Sequence, residues 1–305
     1  MAEITRRRTG EFLRELFKLL LSTPDGMQGS AALQELAGRF TLSPFESSNY
    51  ESGGQRFDKI VRFATVDCVK AGWLLKDKGI WSITEEGRKA HAELTDPEAF
   101  YRRAVKLYRD WKAAQPDAET PTTDAGTGND VVDTDTDTKA KAVSITFEKA
   151  EEDAWAEILV YLRAMNPYDF QDLVADLLRA MGYYVSWVSP PGKDGGLDVL
   201  AWPDALGTRL PRIKVQVKRQ QQAVNVDGLR SVMALLGDDD VGLFVCTGGF
   251  TKDAANEART QEKRRATLID LGTLFNLWVE HYDKLTDQAR RKLPLRPVQF
   301  LSPGG

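Results

Sequence analysis

The sequence predicts an α/β domain with a mixed central sheet flanked by helices, preceded by a smaller α+β domain. The first part reads as three helices followed by a β-hairpin and a further helix. From about residue 150 onward, helical patterns alternate with short apolar strands, as in α/β domains. Between these parts the sequence is nearly devoid of large apolar residues. We therefore predict domains at residues 1–112 and 143–305, joined by a flexible acidic linker at residues 113–142.

Length and composition are those of a soluble globular protein. The 305 residues suffice for two hydrophobic cores, and 42% of them are hydrophobic and 28% charged. No apolar run approaches the roughly 18 residues that a membrane span needs. The N-terminus lacks the apolar segment of a secretory signal. We expect a cytoplasmic protein without a membrane partner.

The counts of cysteine and histidine limit the possible chemistry. Cys68 and Cys246 each lie in an apolar run, which favours buried reduced thiols over a disulfide framework or a zinc site. His91 and His281 lie in polar helical stretches. The sequence thus argues against histidine-dependent triads and histidine-rich metal sites, and it favours catalysis by carboxylates and lysine.

The first domain has the element order of a winged helix-turn-helix module. Helices are predicted at residues 7–21, 30–40 and 57–71, and a hairpin follows around the turn Asp77-Lys78-Gly79. In such a module the third helix enters a DNA groove and the hairpin contacts the DNA backbone. A role in dimerisation or protein contacts is the alternative, and a charged helix face is often only solvated. The candidate DNA-binding residues are Arg56, Lys59, Arg62 and Lys78.

The second domain contains a candidate β-hairpin within residues 194–218. Two β-type runs, at residues 197–202 and 212–218, are joined by a turn-rich segment around Gly207. Apolar and polar side chains alternate along the second run, so they occupy opposite faces of the strand. The apolar face carries Ile213, Val215 and Val217, and the polar face carries Lys214, Gln216 and Lys218.

This hairpin would bring together groups suited to phosphodiester chemistry. Folding about Gly207 places Asp198 opposite Gln216, with Lys218 on the same face. A Mg²⁺ ion held by a carboxylate can neutralise the scissile phosphate, and a nearby lysine can assist the water or the phosphate. We therefore predict a metal and phosphodiester site here. An amphipathic strand with a solvated face is the alternative.

Several segments, in this order, resemble a known family. In the second domain they are Y-D-F-Q-D-L-V-A-D-L-L-R-A-M-G-Y, G-K-D-G-G-L-D-V, I-K-V-Q-V-K-R and V-C-T-G-G-F-T-K-D-A. They resemble the catalytic domain of Mrr-type restriction endonucleases, a branch of the PD-(D/E)xK nuclease fold. The N-terminal segments V-R-F-A-T-V-D-C-V-K-A-G-W-L and G-I-W-S-I-T-E-E-G-R are similar to the winged-helix domain that precedes it. The resemblance implies a restriction-endonuclease-like fold for the second domain.

The resemblance also assigns site residues. It makes Asp198 the metal-binding aspartate and Lys218 the catalytic lysine, with Gln216 in the middle position of the motif as a second metal ligand. The family commonly places a glutamate in the first catalytic-domain helix after an aromatic residue, and here Gln171 follows Phe170. Two of the usual carboxylate positions are therefore amides. Whether Asp172 or Asp194 compensates is left open by the sequence, as is a DNA-binding role for Lys193 and Arg219 near the site.

The implied activity is metal-dependent cleavage of double-stranded DNA. The resemblance implies a Mg²⁺-dependent deoxyribonuclease, with Mn²⁺ as a substitute, that restricts foreign DNA in antiviral defence. Dependence on a base modification such as methylation, as in type IV systems, is one form of this activity. A double-strand cut needs two active sites, so we expect a homodimer at least during cleavage. The alternative is a DNA-binding regulator or sensor with a catalytically weakened nuclease fold, which the amide at Gln171 suggests.

Overall fold

A computed structural model describes residues 4–49, 55–114, 135–192, 196–261 and 264–300, with the backbone alone for residues 135–140. The chain divides into two compact units. Unit 1 comprises Met1–Ala156 and Gln299–Gly305, and unit 2 comprises Glu157–Val298. Within the described residues, no helix combines the length and the apolar character that crossing a bilayer requires.

Unit 1 is a winged helix-turn-helix domain with additional helices. Its three-stranded antiparallel sheet has the order β1-β3-β2, and the two longer strands form the hairpin that follows the third long helix. The predicted α+β fold is confirmed. Its elements are α1 Arg6–Leu21, β1 Met27–Gln28, α2 Gly29–Gly38, α3 Pro44–Ser47, α4 Arg56–Lys70, β2 Leu74–Asp77, β3 Ile80–Ile83, α5 Glu85–Glu93, α6 Pro97–Ala113 and the first part of α7 Asp135–Ala164.

Aromatic side chains fill the core of unit 1. Phe12 of α1 contacts Phe57 of α4 edge to face at 5.0 Å between ring centroids, and Phe17 contacts Phe100 of α6 at 5.1 Å. Both contacts have the edge-to-face geometry that aromatic pairs favour. Trp81 of β3 is fully buried, so the hairpin joins the same core as the helices. This shared core fixes the position of the hairpin relative to α4.

Two local details of unit 1 differ from the sequence expectation. The short helix α3, which the sequence analysis did not predict, begins where Ser43 and Glu46 form a reciprocal capping box. The second helix was predicted to begin at residue 30. It begins at Gly29 instead, without a side-chain cap, and the backbone N–H of Ser30 donates to the Glu152 carboxylate.

The helix predicted to begin at Ala150 starts fifteen residues earlier, at Asp135. Lys141 and Ile145 are buried within unit 1, so tertiary contacts stabilise this first part of α7. The residues at 115–134, most of the predicted linker, lie outside the described part of the chain. The division between units falls after Ala156, whereas the sequence places the domain boundary after residue 142.

Unit 2 is an α/β domain with a five-stranded mixed sheet of order β4-β5-β6-β7-β8. The first three strands pair antiparallel and the last three pair parallel. The elements of this unit after α7 are α8 Pro167–Ala180, β4 Tyr184–Val188, β5 Val199–Trp202, β6 Arg212–Lys218, α9 Val226–Met233, β7 Asp240–Cys246, α10 Lys252–Thr260, β8 Ala266–Ile269, α11 Leu271–Glu280 and α12 Asp287–Lys292.

Strand β7 is covered on both faces. Phe244 and Cys246 lie in one buried cluster with side chains of α9 and α10. Val245, on the opposite face of the strand, is also fully buried. Cys68 in unit 1 and Cys246 are both buried free thiols, as the sequence predicted.

A buried ion cluster at Asp240 joins β6 to β7. The Asp240 carboxylate accepts hydrogen bonds from Arg212 Nε at 2.6 Å and from the Gly237 backbone N–H at 2.7 Å, and Lys214 Nζ lies 2.9 Å away. Burial by itself would raise the pKa of this carboxyl, but the hydrogen bonds from Arg212, Gly237 and Lys214 outweigh burial and hold the pKa below its usual range. The charged carboxylate therefore stabilises the folded state.

We expect Asp240→Asn to lower the free energy of unfolding by about 2 kcal/mol at neutral pH, because two cations lose their charged acceptor. A depressed folded-state pKa gives stability that is present above the unfolded pKa, about pH 4, and is lost as pH falls further. The gap between wild type and variant should therefore narrow below about pH 4. Urea unfolding followed by circular dichroism at neutral and acidic pH measures both effects. Asp283→Asn, at an exposed position, is the matched control, and a gap independent of pH would contradict this account.

Candidate active site

The predicted hairpin is confirmed in its register. Val199 of β5 lies beside Val215 of β6, and Ala201 lies beside Ile213. The pairing is centred on Gly207, whose φ of +66° suits glycine. Continued by one residue, the register sets Asp198 opposite Gln216, as the sequence analysis expected.

The Asp198 side chain is anchored to β6. Only 8% of the residue is exposed, and its Oδ2 accepts a hydrogen bond of 2.7 Å from the Val217 backbone N–H. Its own N–H donates to Val215 O at 2.9 Å. Val217 separates Gln216 from Lys218, so the carboxylate is held beside both candidate polar residues.

Gln216 and Lys218 occupy the polar face of β6 and are partly buried. The side-chain amide nitrogen of Gln216 would lie 3.5 Å from a Cβ at Gly196, so the loop before Asp198 passes close to it. Lys218 Nζ lies 5.4 Å from the centroid of the Phe244 ring, within the range of a cation–π contact. The polar face of β6 thus presents an amide group and an ammonium group, the latter beside the Phe244 ring.

Gln171 connects helix α8 to this site. The residue is 5% exposed, and its Nε2 donates a 2.8 Å hydrogen bond to the backbone carbonyl of Ser189. The Ser189 N–H donates in turn to the backbone carbonyl of Asp198 at 2.8 Å. An ionised glutamate at position 171 has no proton to donate. The amide therefore acts as a donor that an ionised glutamate at this position could not replace in the same geometry.

Of the two acidic residues considered as substitutes, Asp172 pairs with a lysine of α12. Asp172 lies 3.8 Å from Lys292 Nζ of α12. Asp194 lies outside the described residues. Among the described residues, no group of three or more Asp, Glu, His or Cys side chains is arranged to hold a metal ion. Asp198 is thus the carboxylate of the candidate site.

The available oxygen donors suit a hard divalent cation whose other ligands are phosphate oxygens and water. Asp198 offers a carboxylate, and Gln216 can offer a side-chain carbonyl oxygen. Mg²⁺ is usually bound through one or two carboxylates, with substrate phosphates and waters completing its octahedron. The residues present therefore fit a metal that binds weakly alone and more firmly together with a phosphate.

Of the two basic residues of unit 2 that were predicted to bind DNA, the structure describes Arg219. Arg219 is exposed, and its Nη1 donates to the backbone carbonyls of Arg163 at 2.8 Å and Met165 at 3.0 Å. These carbonyls lie at and just beyond the C-terminal end of α7, where a cation is favoured. Lys193 lies outside the described residues. The DNA-binding role of both residues stays a prediction.

In unit 1, the structure corrects the expected exposure of Arg62. The sequence pattern set it on a charged outer face of α4, but it is only 4% exposed and its guanidinium is paired with Glu148 and Glu152 of α7. The sequence analysis did not single out these two glutamates: Glu148 lies before the helix predicted from about residue 150, and no local pattern linked Glu152 to Arg62. Their spacing of four residues, which sets both on one helix face, was the available signal.

The other three candidates of unit 1 remain at least partly exposed. Lys59 is exposed, and the guanidinium of Arg56 lies over the Phe45 ring at 4.4 Å. Lys78 Nζ lies 5.4 Å from the Trp155 ring of α7. Lys76 of β2, which the sequence analysis did not propose, is a further basic residue of this hairpin, and its side chain is paired with Glu148.

Two family models match this chain. Residues 11–93 match the family model described as "Mrr N-terminal domain", and residues 162–278 match the Mrr catalytic-domain model, described as "Restriction endonuclease". A solved structure, "MspJI Restriction Endonuclease in Complex with 27-mer Oligonucleotide", is similar at 17% identity and a TM-score of 0.32. The similarity covers 70% of this chain and 47% of that one, so this chain spans about half the length of that protein. A comparison with curated protein sequences gives no significant match.

Proposed function

Because the chain belongs to the Mrr-type restriction endonuclease family, we propose that it is a metal-dependent endonuclease that hydrolyses phosphodiester bonds of double-stranded DNA. The observation that carries the proposal is the hydrogen bond from the Val217 N–H to Asp198. It holds the carboxylate beside the strand that bears Gln216 and Lys218, so three groups suited to phosphodiester hydrolysis lie within one short hairpin.

Asp198 and Gln216 are the residues that would hold the cation. Such an ion supplies charge for the scissile phosphate and the leaving oxygen, and it activates water. Lys218 contributes a fixed positive charge that can neutralise the phosphate or orient the attacking water. Gln171, through Ser189, keeps the backbone of Asp198 in place. Gln171 therefore acts as a positioning residue.

Unit 1 would bind the DNA that unit 2 cuts. Its third long helix α4 and the β2–β3 turn are the elements with which winged helices approach DNA. Lys59, Arg56, Lys76 and Lys78 would provide phosphate contacts, which give salt-dependent affinity. Restriction of foreign DNA, dependence on a base modification and a homodimer during double-strand cleavage belong to the same proposal.

The direct test is DNA cleavage by the purified full chain. Methylated and unmethylated plasmids are incubated at low and moderate salt with Mg²⁺, with Mn²⁺ or with EDTA. We expect nicked or linear plasmid with either metal and none with EDTA, because the hydrolysis requires the cation. A difference between the two plasmids would establish modification dependence. Intact plasmid under every condition would reject the nuclease proposal.

A second candidate function is a DNA-binding protein whose nuclease fold has weakened catalysis. The observation in its favour is the use of Gln171 as a hydrogen-bond donor, which leaves Asp198 without a second carboxylate in the described site. Calorimetric titration with Mg²⁺, in the absence and presence of DNA, separates the two functions. The weakened fold would bind DNA but show no metal binding in either case, whereas the nuclease should bind metal once DNA is present.

A further inference from the structure

An acidic face of α7 covers basic residues of unit 1. Glu148 accepts a hydrogen bond from Arg62 Nη1 at 2.6 Å and from the Trp81 indole N–H at 3.1 Å through Oε1. Its Oε2 accepts from Lys76 Nζ at 2.6 Å. One carboxylate thereby contacts the third helix and both strands of the hairpin.

Glu152, one helical turn later, continues the same contact. Its Oε2 accepts from Arg62 Nη2 at 2.8 Å, and its Oε1 accepts from the Ser30 backbone N–H at 2.8 Å. Gln28 Nε2 also donates to Oε1, at 3.3 Å. Arg62 is thus held by two carboxylates, in the same charge-assisted manner in which arginine binds phosphate oxygens.

The contact is desolvated, which makes it different from a surface ion pair. The side chains of Arg62 and Glu152 are each 5% exposed, and those of Glu148 and Lys76 are each 10% exposed. A further pair, Lys141–Asp67 at 2.7 Å, is more deeply buried, at 1% and 0% exposure. Pairs in such surroundings combine strong attraction with a high cost of desolvation.

The cost is visible at Lys76. Burial lowers the pKa of its ammonium to about 8, although the charge of Glu148 acts in the opposite direction. The environment therefore disfavours the charged lysine despite its partner. The net stabilisation by this cluster is therefore smaller than its short distances alone would suggest.

The covered surface is the one expected to face DNA. Arg62 lies in the middle of α4, and Lys76 and Trp81 lie on the hairpin. At the hairpin turn, a Cβ added to Gly79 would meet Glu152 Cγ at 2.6 Å, so α7 passes directly over this residue. Helix α7 therefore covers both α4 and the β2–β3 hairpin.

We propose that residues 141–156 are an autoinhibitory helix. Its Glu148 and Glu152 bind Arg62 and Lys76, the same side chains that bind DNA phosphates when unit 1 binds DNA. This inference rests on the proposed DNA-binding function. Helix and DNA exclude each other, because both are anionic and both require the same cations. The apparent affinity for DNA is then the intrinsic affinity multiplied by the fraction of molecules in which the helix has left the surface.

The test uses the full chain with Glu148→Gln and Glu152→Gln combined. Binding to a short fluorescent duplex is followed by polarisation in EDTA, which prevents cleavage. We expect a Kd at least about tenfold lower than that of the wild type, because the uncovered state becomes the major one. The matched control is Glu85→Gln with Glu86→Gln, which removes the same charge from exposed positions of α5. The control should change Kd less than about threefold, the effect of net charge alone.

Two further measurements separate masking from a change in charge or folding. Arg62→Ala, added to the Glu148→Gln and Glu152→Gln variant, should abolish the gain in affinity. In the wild type, hydrogen exchange of residues 141–156 should accelerate when the duplex is added, which requires no substitution. Acceleration together with the Arg62-dependent gain supports the proposal.

Different negative results would reject either the autoinhibition alone or DNA binding by unit 1 as well. If the wild type binds DNA and the double variant binds equally, the helix does not inhibit and the DNA-binding function stands. A gain that persists after Arg62→Ala, or exchange of residues 141–156 that DNA leaves unchanged, also overturns the inference. If neither the wild type nor any variant binds DNA at low salt, the proposed function of unit 1 fails together with the inference.

Discussion

Replacing Lys218 with alanine is expected to slow DNA cleavage about a thousandfold and to change DNA affinity by less than about threefold. The reason is that one charge placed at the reacting phosphate stabilises the transition state far more than it strengthens binding. The ammonium lies at the end of β6, on the face that carries Gln216, and within 5.4 Å of the Phe244 ring. Few other groups of the described site can supply a positive charge there. Arg219, the next residue, is engaged with the carbonyls at the end of α7.

Single-turnover cleavage of a plasmid measures this effect, and polarisation in EDTA measures the affinity. Lys284→Ala, at an exposed position of unit 2, is the matched control and should cut like the wild type. Lys218→Arg keeps the charge but changes its shape, so partial activity would indicate an electrostatic role rather than proton transfer. Cleavage by Lys218→Ala within about tenfold of the wild-type rate would remove Lys218 from the proposed mechanism.

Asp198→Asn is expected to reduce metal-dependent cleavage by a comparable factor, about a thousandfold, with little loss of stability. Asparagine keeps the size of the side chain and an oxygen that can accept the hydrogen bond from the Val217 N–H. It removes the negative charge, which is the carboxylate contribution of the candidate metal site. The variant thus separates holding the hairpin together from holding the cation.

The decisive measurement is the dependence of cleavage on Mg²⁺ and Mn²⁺ concentration. Asp198→Asn should require far more metal, and its unfolding in urea should resemble that of the wild type. Asp283→Asn is the control at an exposed position of the same unit. An unchanged metal dependence would mean that residues other than Asp198 hold the ion.

The candidate hairpin could be predicted because its determinants are local. A turn centred on Gly207, together with the alternation of apolar and polar residues in β6, specifies which residues face each other across the two strands. A shift of one residue would turn Ile213 and Val215 away from the core, so the hydrophobic effect selects the observed register. The position of Asp198 opposite Gln216 follows from the same local pattern.

The role of Gln171 could be predicted only in part. The sequence showed an amide where related proteins commonly have a glutamate, and this suggested a weakened site. The tertiary structure shows the amide donating to the Ser189 carbonyl, eighteen residues away in the chain. Which backbone group lies beside a helix residue depends on how α8 packs against the end of β4, and no local pattern encodes that packing.

The sequence alone determined the hairpin of β5 and β6 and the order of helices and hairpin in unit 1, since short-range periodicity and turn chemistry specify them. It also led to the prediction of Asp198 and Lys218 as site residues, which the cleavage experiments test. Only the tertiary structure decided that Arg62 is covered by Glu148 and Glu152, which lie 86 and 90 residues further along the chain. The charged face of α4 looked the same in sequence whether water, DNA or another helix was to cover it. Desolvation and pairing, which arise only when distant segments pack together, made the difference.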